Sequence, residues 1–321
     1  MNSPLWQPSA SIATLQKRAA IFQIIRRFFD LKEVLEVDVP VLSQAAVCDP
    51  FIDAMTVEYR HFPEDKCQHY YLQSSPEYAM KRLLAAGSGC IYQMSKVFRN
   101  GDVGRRHNPE FTLLEWYRLG FDEQQLMDEV AELVTAASGI THFEKLSYKQ
   151  VFLTYLELDI SIVSDDQLAD KMREKIDING DYQRDDWLQL LMSHCIEPQL
   201  KGAVFIYDYP ASQAALAKIK RNEQAEYVAA RFELFVDGIE LDNGYHELTE
   251  AKEQLKRFEA DQAKRESLGL VKRPLDMQLI YALEQGLPQC AGVALGVDRL
   301  MMLALDKNDI ADVLPFAFER A

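Results

Sequence analysis

Positive charge is scarce in this chain. Its 35 Lys and Arg face 50 Asp and Glu, leaving a net charge of −15 over 321 residues. A surface that grips nucleic acid throughout is not expected, because such affinity comes from basic side chains neutralising phosphates. A local basic cleft for a small phosphate ligand stays open. Paired cysteines are also missing. The five (Cys48, Cys67, Cys90, Cys195 and Cys290) are scattered, odd in number and form no C-x-x-C. That pattern favours reduced thiols over disulfides or a zinc site. The six His show no metal-ligand spacing. No apolar run approaches ~18 residues, and the N-terminus lacks a long apolar core. No repeat or low-complexity linker interrupts the chain. The expectation is a cytoplasmic protein away from membranes, with enough hydrophobic residues (48%) for a full core.

Periodicity places the elements. Leu15, Ala19, Phe22, Ile25 and Phe29 recur at helical spacing, so residues 14–30 read as an amphipathic helix with Arg18, Arg26 and Arg27 on other faces. "LEVDVPVLS" reads as extended, and Pro40 puts it at an edge or a strand end. "HYYLQSSPEYAMKRLLAAG" reads as strand, loop and helix, with Ser74 or Ser75 as N-cap and Pro76 near the first helical position. Two strands at 90–99 and 110–118 flank a basic loop, and Leu126, Val130, Leu133, Val134 and Ala137 mark a further helix. Residues 145–200 are helical in pattern, acidic and punctuated by "DINGD", which suggests a small helical insertion. Strands return at "AVFIYDYP", "ARFELFVDGIELDNGY" and "CAGVALG", and helices at about 250–268 and 297–305. Runs of strands bounded by helices imply one α+β domain spanning 1–321 around an antiparallel sheet.

Three segments carry chemistry, each with a bland reading beside the sharp one. In "ARFELFVDGIELDNGYHEL", Asp237-Gly238 is a strong hairpin signal that pairs Phe235 with Glu240. Glu233 then lies diagonally across from Glu240 on the same face. Such a pair either holds a hard cation such as Mg²⁺ together with substrate phosphates, or consists of two ordinary exposed strand residues. In "CAGVALGVDRL", Gly292 and Gly296 precede a helix with Arg299 in its first turn. That junction suits close backbone approach to a ligand, or simply tight packing. In "VFRNGDVGRRHNPEFTLLEWYR", alternation puts Phe111, Leu113, Glu115 and Tyr117 on one face. Beside Arg99 and Arg105 or Arg106, that face could stack a base and bind phosphates, or be a half-buried strand.

Together these segments resemble the class II aminoacyl-tRNA synthetases, and among them the lysyl type. "VFRN…RHNPEFTLLEWY" is similar to that class's second signature, "GVALGVDRL" to its third and "LEVDVPVLS" to its weaker first. "SSPEY" and "IELDNGYHELTEA" are similar to lysyl-specific substrate segments. The resemblance runs from about residue 10 to the C-terminus. Lysyl-tRNA synthetases carry an N-terminal anticodon-binding domain, whereas here the catalytic part begins almost at Met1. The chain therefore resembles the stand-alone ligases that join lysine to elongation factor P, and "WQPSAS" and "YPASQAALA" match that family closely.

The resemblance implies an ATP-dependent ligase that forms an aminoacyl-adenylate and passes it to a lysine of elongation factor P. Arg99 would hold the α-phosphate and the amino-acid carboxylate, stabilising developing charge. Phe111 would stack adenine, with Asn100, Gly101, Asn108, Leu241 and Gly296 at the nucleotide, and Arg299 would bind the γ-phosphate. Glu233 and Glu240 would hold Mg²⁺. Ser75, Pro76, Glu77, Glu115, Tyr117, Asn243, Glu247 and Ala294 would form the pocket for a lysine or β-lysine with two ammonium groups. A homodimer is implied, and tRNA is not the expected acceptor. Three alternatives are weaker. A truncated synthetase acylating tRNA conflicts with the acidic charge, and an asparagine synthetase conflicts with the Glu-rich pocket. A non-catalytic paralogue conflicts with the presence of Arg99, Arg299, Glu233 and Glu240. Docking of either macromolecule would need basic groups such as Arg105, Arg106, Lys218, Lys220 and Arg221. One departure stands out: the family's F-R-N-E is Phe98-Arg99-Asn100-Gly101 here.

Ala294 stands where lysyl-tRNA synthetases have Gly, and its methyl should suit a shifted amine. Adenylate formation is therefore expected to be faster with (R)-β-lysine than with α-lysine, by a contact of ~1–3 kcal/mol that leaves some α-lysine activity. Amino-acid-dependent pyrophosphate exchange measures the order, and the reverse order would remove this role for Ala294.

Overall fold

The structure, a computed structural model, describes residues 6–178, 180 and 182–321. Asn179 and Asp181 of "DINGD" lie outside the described residues. The chain divides into two compact units. One comprises 1–121, 132–139 and 249–321, and the other 122–131 and 140–248.

The first unit is built on the strands Ile91–Phe98, Glu110–Leu119 and Cys290–Gly296, which pair antiparallel in that order. The short strand Leu35–Glu36 joins Ile91–Phe98 in parallel. A separate small sheet pairs Gln68–Leu72 with Leu42–Ser43 and Thr56–Tyr59. Alternation sends Trp116 and Leu114 to the opposite face from Glu115 and Tyr117. There Phe29 stacks on Tyr92 at 4.3 Å between ring centroids and meets Trp116 edge-on at 5.4 Å. Phe29 belongs to the helix Ile12–Leu31, capped by Ser11, whose side chain accepts the Thr14 N–H.

That helix exists as expected but lies on a rotated face. Its buried residues are Thr14, Arg18, Ile21, Ile25 and Phe29, while Ala19 is exposed. Arg18, placed by periodicity off the apolar face, is inside. Its Nη1 meets Asp298 at 2.6 Å, with side-chain exposures of 7% and 2%, and also donates to the Val313 carbonyl at 3.2 Å. Its Nη2 donates to Thr112 Oγ1 at 3.0 Å, and the Thr112 N–H donates to Asp298 Oδ2 at 2.7 Å. Hydrophobic periodicity cannot announce a buried cation whose partner lies 280 residues away.

In the second unit the strand order is Ile239–His246, Tyr227–Val236, Ala203–Pro210, Phe143–Ser147. The last pair is parallel, and a parallel pair needs a long crossover. The acidic helical stretch supplies it, with the helices Tyr148–Leu156, Asp165–Arg173 and Arg184–Leu191. Ser147 and Ser164 form capping boxes with Gln150 and Gln167. Phe152, Leu168, Trp187 and Leu191 pack with Val204, Ile206 and Tyr209 of the central strand. The Asp237-Gly238 turn has both residues at positive φ, 48° and 71°, the conformation that matches hairpin twist.

Removing one partner of a buried ion pair strands the other charge, at a cost of about 3–5 kcal/mol. Asp298→Ala is expected to lose that much in urea denaturation, and Arg18→Met with Asp298→Leu much less. A single-variant loss within ~0.5 kcal/mol would show that the pair does not hold the fold.

Candidate active site

Of the residues expected to bind the substrate, Ser75, Pro76, Glu77, Glu115, Tyr117 and Ala294 lie in the first unit, and Asn243 and Glu247 lie in the second. Glu115 is 2% exposed. Its Oε2 accepts from Ser75 Oγ at 2.8 Å and its Oε1 from the Tyr117 hydroxyl at 2.7 Å. Ser75 Oγ also accepts the Glu77 N–H at 3.0 Å. The helix itself is Glu77–Ala85 with Pro76 at its N-cap, so Ser75 satisfies an orphan N–H from one residue further out than a regular cap. Burial, and after it the Glu77 carboxylate, pushes Glu115 up to about 8, against the bonds from Tyr117 and Ser75. A buried acid held high by lack of solvent and a like charge is what an incoming ammonium would relieve.

The neighbouring strand supplies a floor without bulk. Gly292, Ala294 and Gly296 stand opposite Tyr117, Glu115 and Leu113. Cross-strand partners share a face, so the polar tips of Tyr117 and Glu115 are flanked by hydrogen or a single methyl. Gln93, buried, lies opposite Glu115 on the other side, where its carbonyl accepts the Val39 N–H at 2.7 Å.

The basic loop carries the nucleotide-type groups. Arg99 lies over the Phe111 ring, 5.1 Å from its centroid. Among the described residues its buried Nε finds no hydrogen-bond partner, an arrangement that fits a phosphate or carboxylate oxygen. Arg299 Nε donates to the Arg106 carbonyl at 3.3 Å, and its Nη2 lies 2.8 Å from His107 Nε2. The loop and the last helix thus hold each other. The two asparagines are more committed than the resemblance suggested. Asn100 Nδ2 donates to Asp53 at 2.8 Å. Asn108 donates to the Glu110 carbonyl at 2.6 Å and accepts the Phe318 N–H at 2.9 Å, so its amide ties the loop to the C-terminus. Gly101 sits at φ +82°, with open space where a Cβ would be. The obstacle to a glutamate there is the left-handed backbone rather than crowding.

In the second unit the hairpin register pairs Phe235 with Glu240 as expected. A bulge then makes Leu241 an extra residue, so Glu233 faces Asn243 instead of Asp242. The simple diagonal geometry is corrected accordingly, although Glu240 still acts on Glu233. Burial first, opposed by Arg231 and aided by Glu240, pushes Glu233 up. Tyr209 donates to Glu233 Oε2 at 2.6 Å, and Arg231 Nη2 binds Oε1. Arg231 Nε also donates to Asn243 Oδ1 at 3.2 Å. Leu241 is buried, and Glu247 is 1% exposed at the end of the strand. Among the described residues no group of three or more His, Cys, Asp or Glu forms a metal cage. A buried acid that a second acid pushes up still fits a cation shared with phosphates.

Three contributors escaped the sequence reading. Arg231 and Tyr209 orient Glu233, and Lys81 binds Glu77. Alternation along the strand pointed Arg231 to the face of Glu233, and i,i+4 spacing linked Lys81 to Glu77, but neither pattern shows burial. Lys220, offered as a docking charge, is instead paired with Glu123 and with Asp208 at 3.0 Å.

The family model for class II tRNA synthetases (D, K and N) matches residues 6–320. The chain is 49% identical over 318 residues to the elongation factor P–(R)-β-lysine ligase of Vibrio vulnificus, covering 98% of each chain. Ligases of the same name from Yersinia enterocolitica and Vibrio cholerae are each 48% identical, covering 98% and 100% of both chains respectively.

A raised Glu115 releases its proton more readily on unfolding, so its folded state is favoured below the ordinary carboxylate value. Stability should fall as pH rises from about 4.5 to about 8, by up to ~1.4 kcal/mol per pH unit from this group. Glu115→Gln should flatten that slope in denaturation at several pH values. An unchanged slope would show that Glu115 ionises normally.

Proposed function

The chain belongs to the class II tRNA synthetases of the D, K and N type, and from that membership we propose that it activates (R)-β-lysine with ATP and ligates it to elongation factor P. The observation that carries this reading is the 48–49% identity, over 98–100% of both chains, to ligases of that name. The enzyme is an ATP-dependent ligase, and its Glu115 pocket has the chemistry that an amine-bearing substrate requires.

The first step joins the substrate carboxylate to the α-phosphorus of ATP and breaks the bond to the β-phosphate, releasing pyrophosphate. Arg99 would orient the attacking carboxylate and the α-phosphate, its free Nε meeting negative charge as it develops. Phe111 would stack adenine, and Arg299 would take the γ-phosphate. Glu77, Glu115 and Tyr117 would bind one ammonium, and Asn243 and Glu247 would complete the recognition of the other polar groups. Ala294 would set the position of the amine opposite Glu115. Glu233 and Glu240 would hold Mg²⁺, which neutralises phosphate charge when bound; Arg231 and Tyr209 keep Glu233 in place for it.

In the second step the neutral ε-amine of an acceptor lysine attacks the acyl carbon. An amide forms, AMP leaves and the amine proton passes to solvent. No enzyme nucleophile is required, so the rate rests on orientation and charge stabilisation. The protein works in the cytoplasm as a homodimer under this proposal, and tRNA is not an acceptor.

Intact mass of elongation factor P, after incubation with enzyme, ATP and either lysine isomer, tests the proposal. The expected result is a gain of one lysine-type residue, larger in yield with (R)-β-lysine. Acylation of tRNA with no change in the protein's mass would overturn it.

A further inference from the structure

Lys81 is a charged residue inside the first unit for which the two chemical steps above have no use. It is 1% exposed, and its Nζ donates to Glu77 Oε1 at 2.7 Å, one helical turn away. Glu77 is itself largely covered, with its side chain 15% exposed. A buried ammonium is costly unless it is paired, so this lysine is not an incidental surface pair. A continuous chain of bonds leads from it to the acid on the strand. Lys81 binds Glu77, the Glu77 N–H binds Ser75 Oγ, Ser75 donates to Glu115, and Tyr117 donates to the other oxygen of Glu115.

We propose that Lys81 is a positioning residue for amine recognition, holding Glu77 in one orientation so that the Glu77–Glu115 pair accepts one substrate ammonium. The inference rests on the lysine-activating reading above. Glu77 acts on the buried Glu115 as a like charge, and the Lys81 ammonium opposes it. With Lys81 in place the three groups carry one net negative charge when both acids are ionised, which matches one ammonium. Lys81 also occupies Oε1 of Glu77, so the substrate meets the other oxygen. Without the Lys81 bond the Glu77 side chain regains its rotamer freedom, and the acid pair no longer presents one fixed geometry to an ammonium.

The test is pyrophosphate exchange by the full-length enzyme with (R)-β-lysine as the probe. Lys81→Met is expected to raise the KM for (R)-β-lysine about tenfold or more, with the KM for ATP unchanged. A merely structural lysine would lower the folded fraction and leave both KM values alone. Folded Lys81→Met with an unchanged KM for (R)-β-lysine would overturn the proposal. If that variant does not fold, Glu77→Gln is compared with Glu77→Gln combined with Lys81→Met, which removes both buried charges together. A lysine that acts only through Glu77 predicts that the double variant binds (R)-β-lysine no worse than Glu77→Gln. A further rise in KM in the double variant would overturn the proposal. Failure of the wild-type protein to exchange with any lysine isomer is a different outcome, and it would overturn the functional reading instead.

Discussion

The buried Arg18–Asp298 pair is the constraint on which the nucleotide-type half of the site depends. Arg18 comes from the first helix, Thr112 from the strand after the basic loop and Asp298 from the last helix. Phe111 precedes Thr112, and Arg299 follows Asp298. One ion pair with its hydrogen bonds therefore sets where the stacking ring and the second arginine begin. Desolvating two charges costs free energy that hydrophobic packing would not. The geometry it enforces is specific, because guanidinium and carboxylate meet only in a few arrangements.

Charge is used sparingly and locally. In a chain with net charge −15, two arginines near the proposed nucleotide site are fastened to backbone or rings. Arg299 is tied to the loop, Arg99 lies on Phe111, and Asn108 anchors the loop to the C-terminus. The amine side is the reverse. There Glu115 is deprived of water and placed beside Glu77, and both push its carboxyl up. The adjoining strand contributes by what it omits: Gly292, Ala294 and Gly296 place no more than a methyl opposite Tyr117, Glu115 and Leu113.

The hairpin of the second unit shows how a small irregularity alters an inference. The turn type and the Phe235–Glu240 pair follow from Asp237-Gly238, because that dipeptide accepts positive φ at both positions. The extra residue at Leu241 does not follow from local pattern, since a bulge forms to accommodate neighbours rather than its own sequence. Arg231 and Tyr209 then become the orienting partners of Glu233.

Local chemistry alone determined the strands around the basic loop, the hairpin turn, the helix near residues 14–30 and the α+β class, because side-chain periodicity and turn dihedrals are short-range properties. The resemblance supplied the acids and arginines of the site, since spaced signatures survive where folds are shared. Tertiary structure alone decided which charges are buried. Arg18 and Lys81 look in sequence like ordinary solvated helix charges; one is buried against a partner 280 residues away and the other against Glu77, one helical turn away. Burial depends on what the rest of the chain brings alongside, and the free energy of a charge depends on burial more than on its neighbours in sequence.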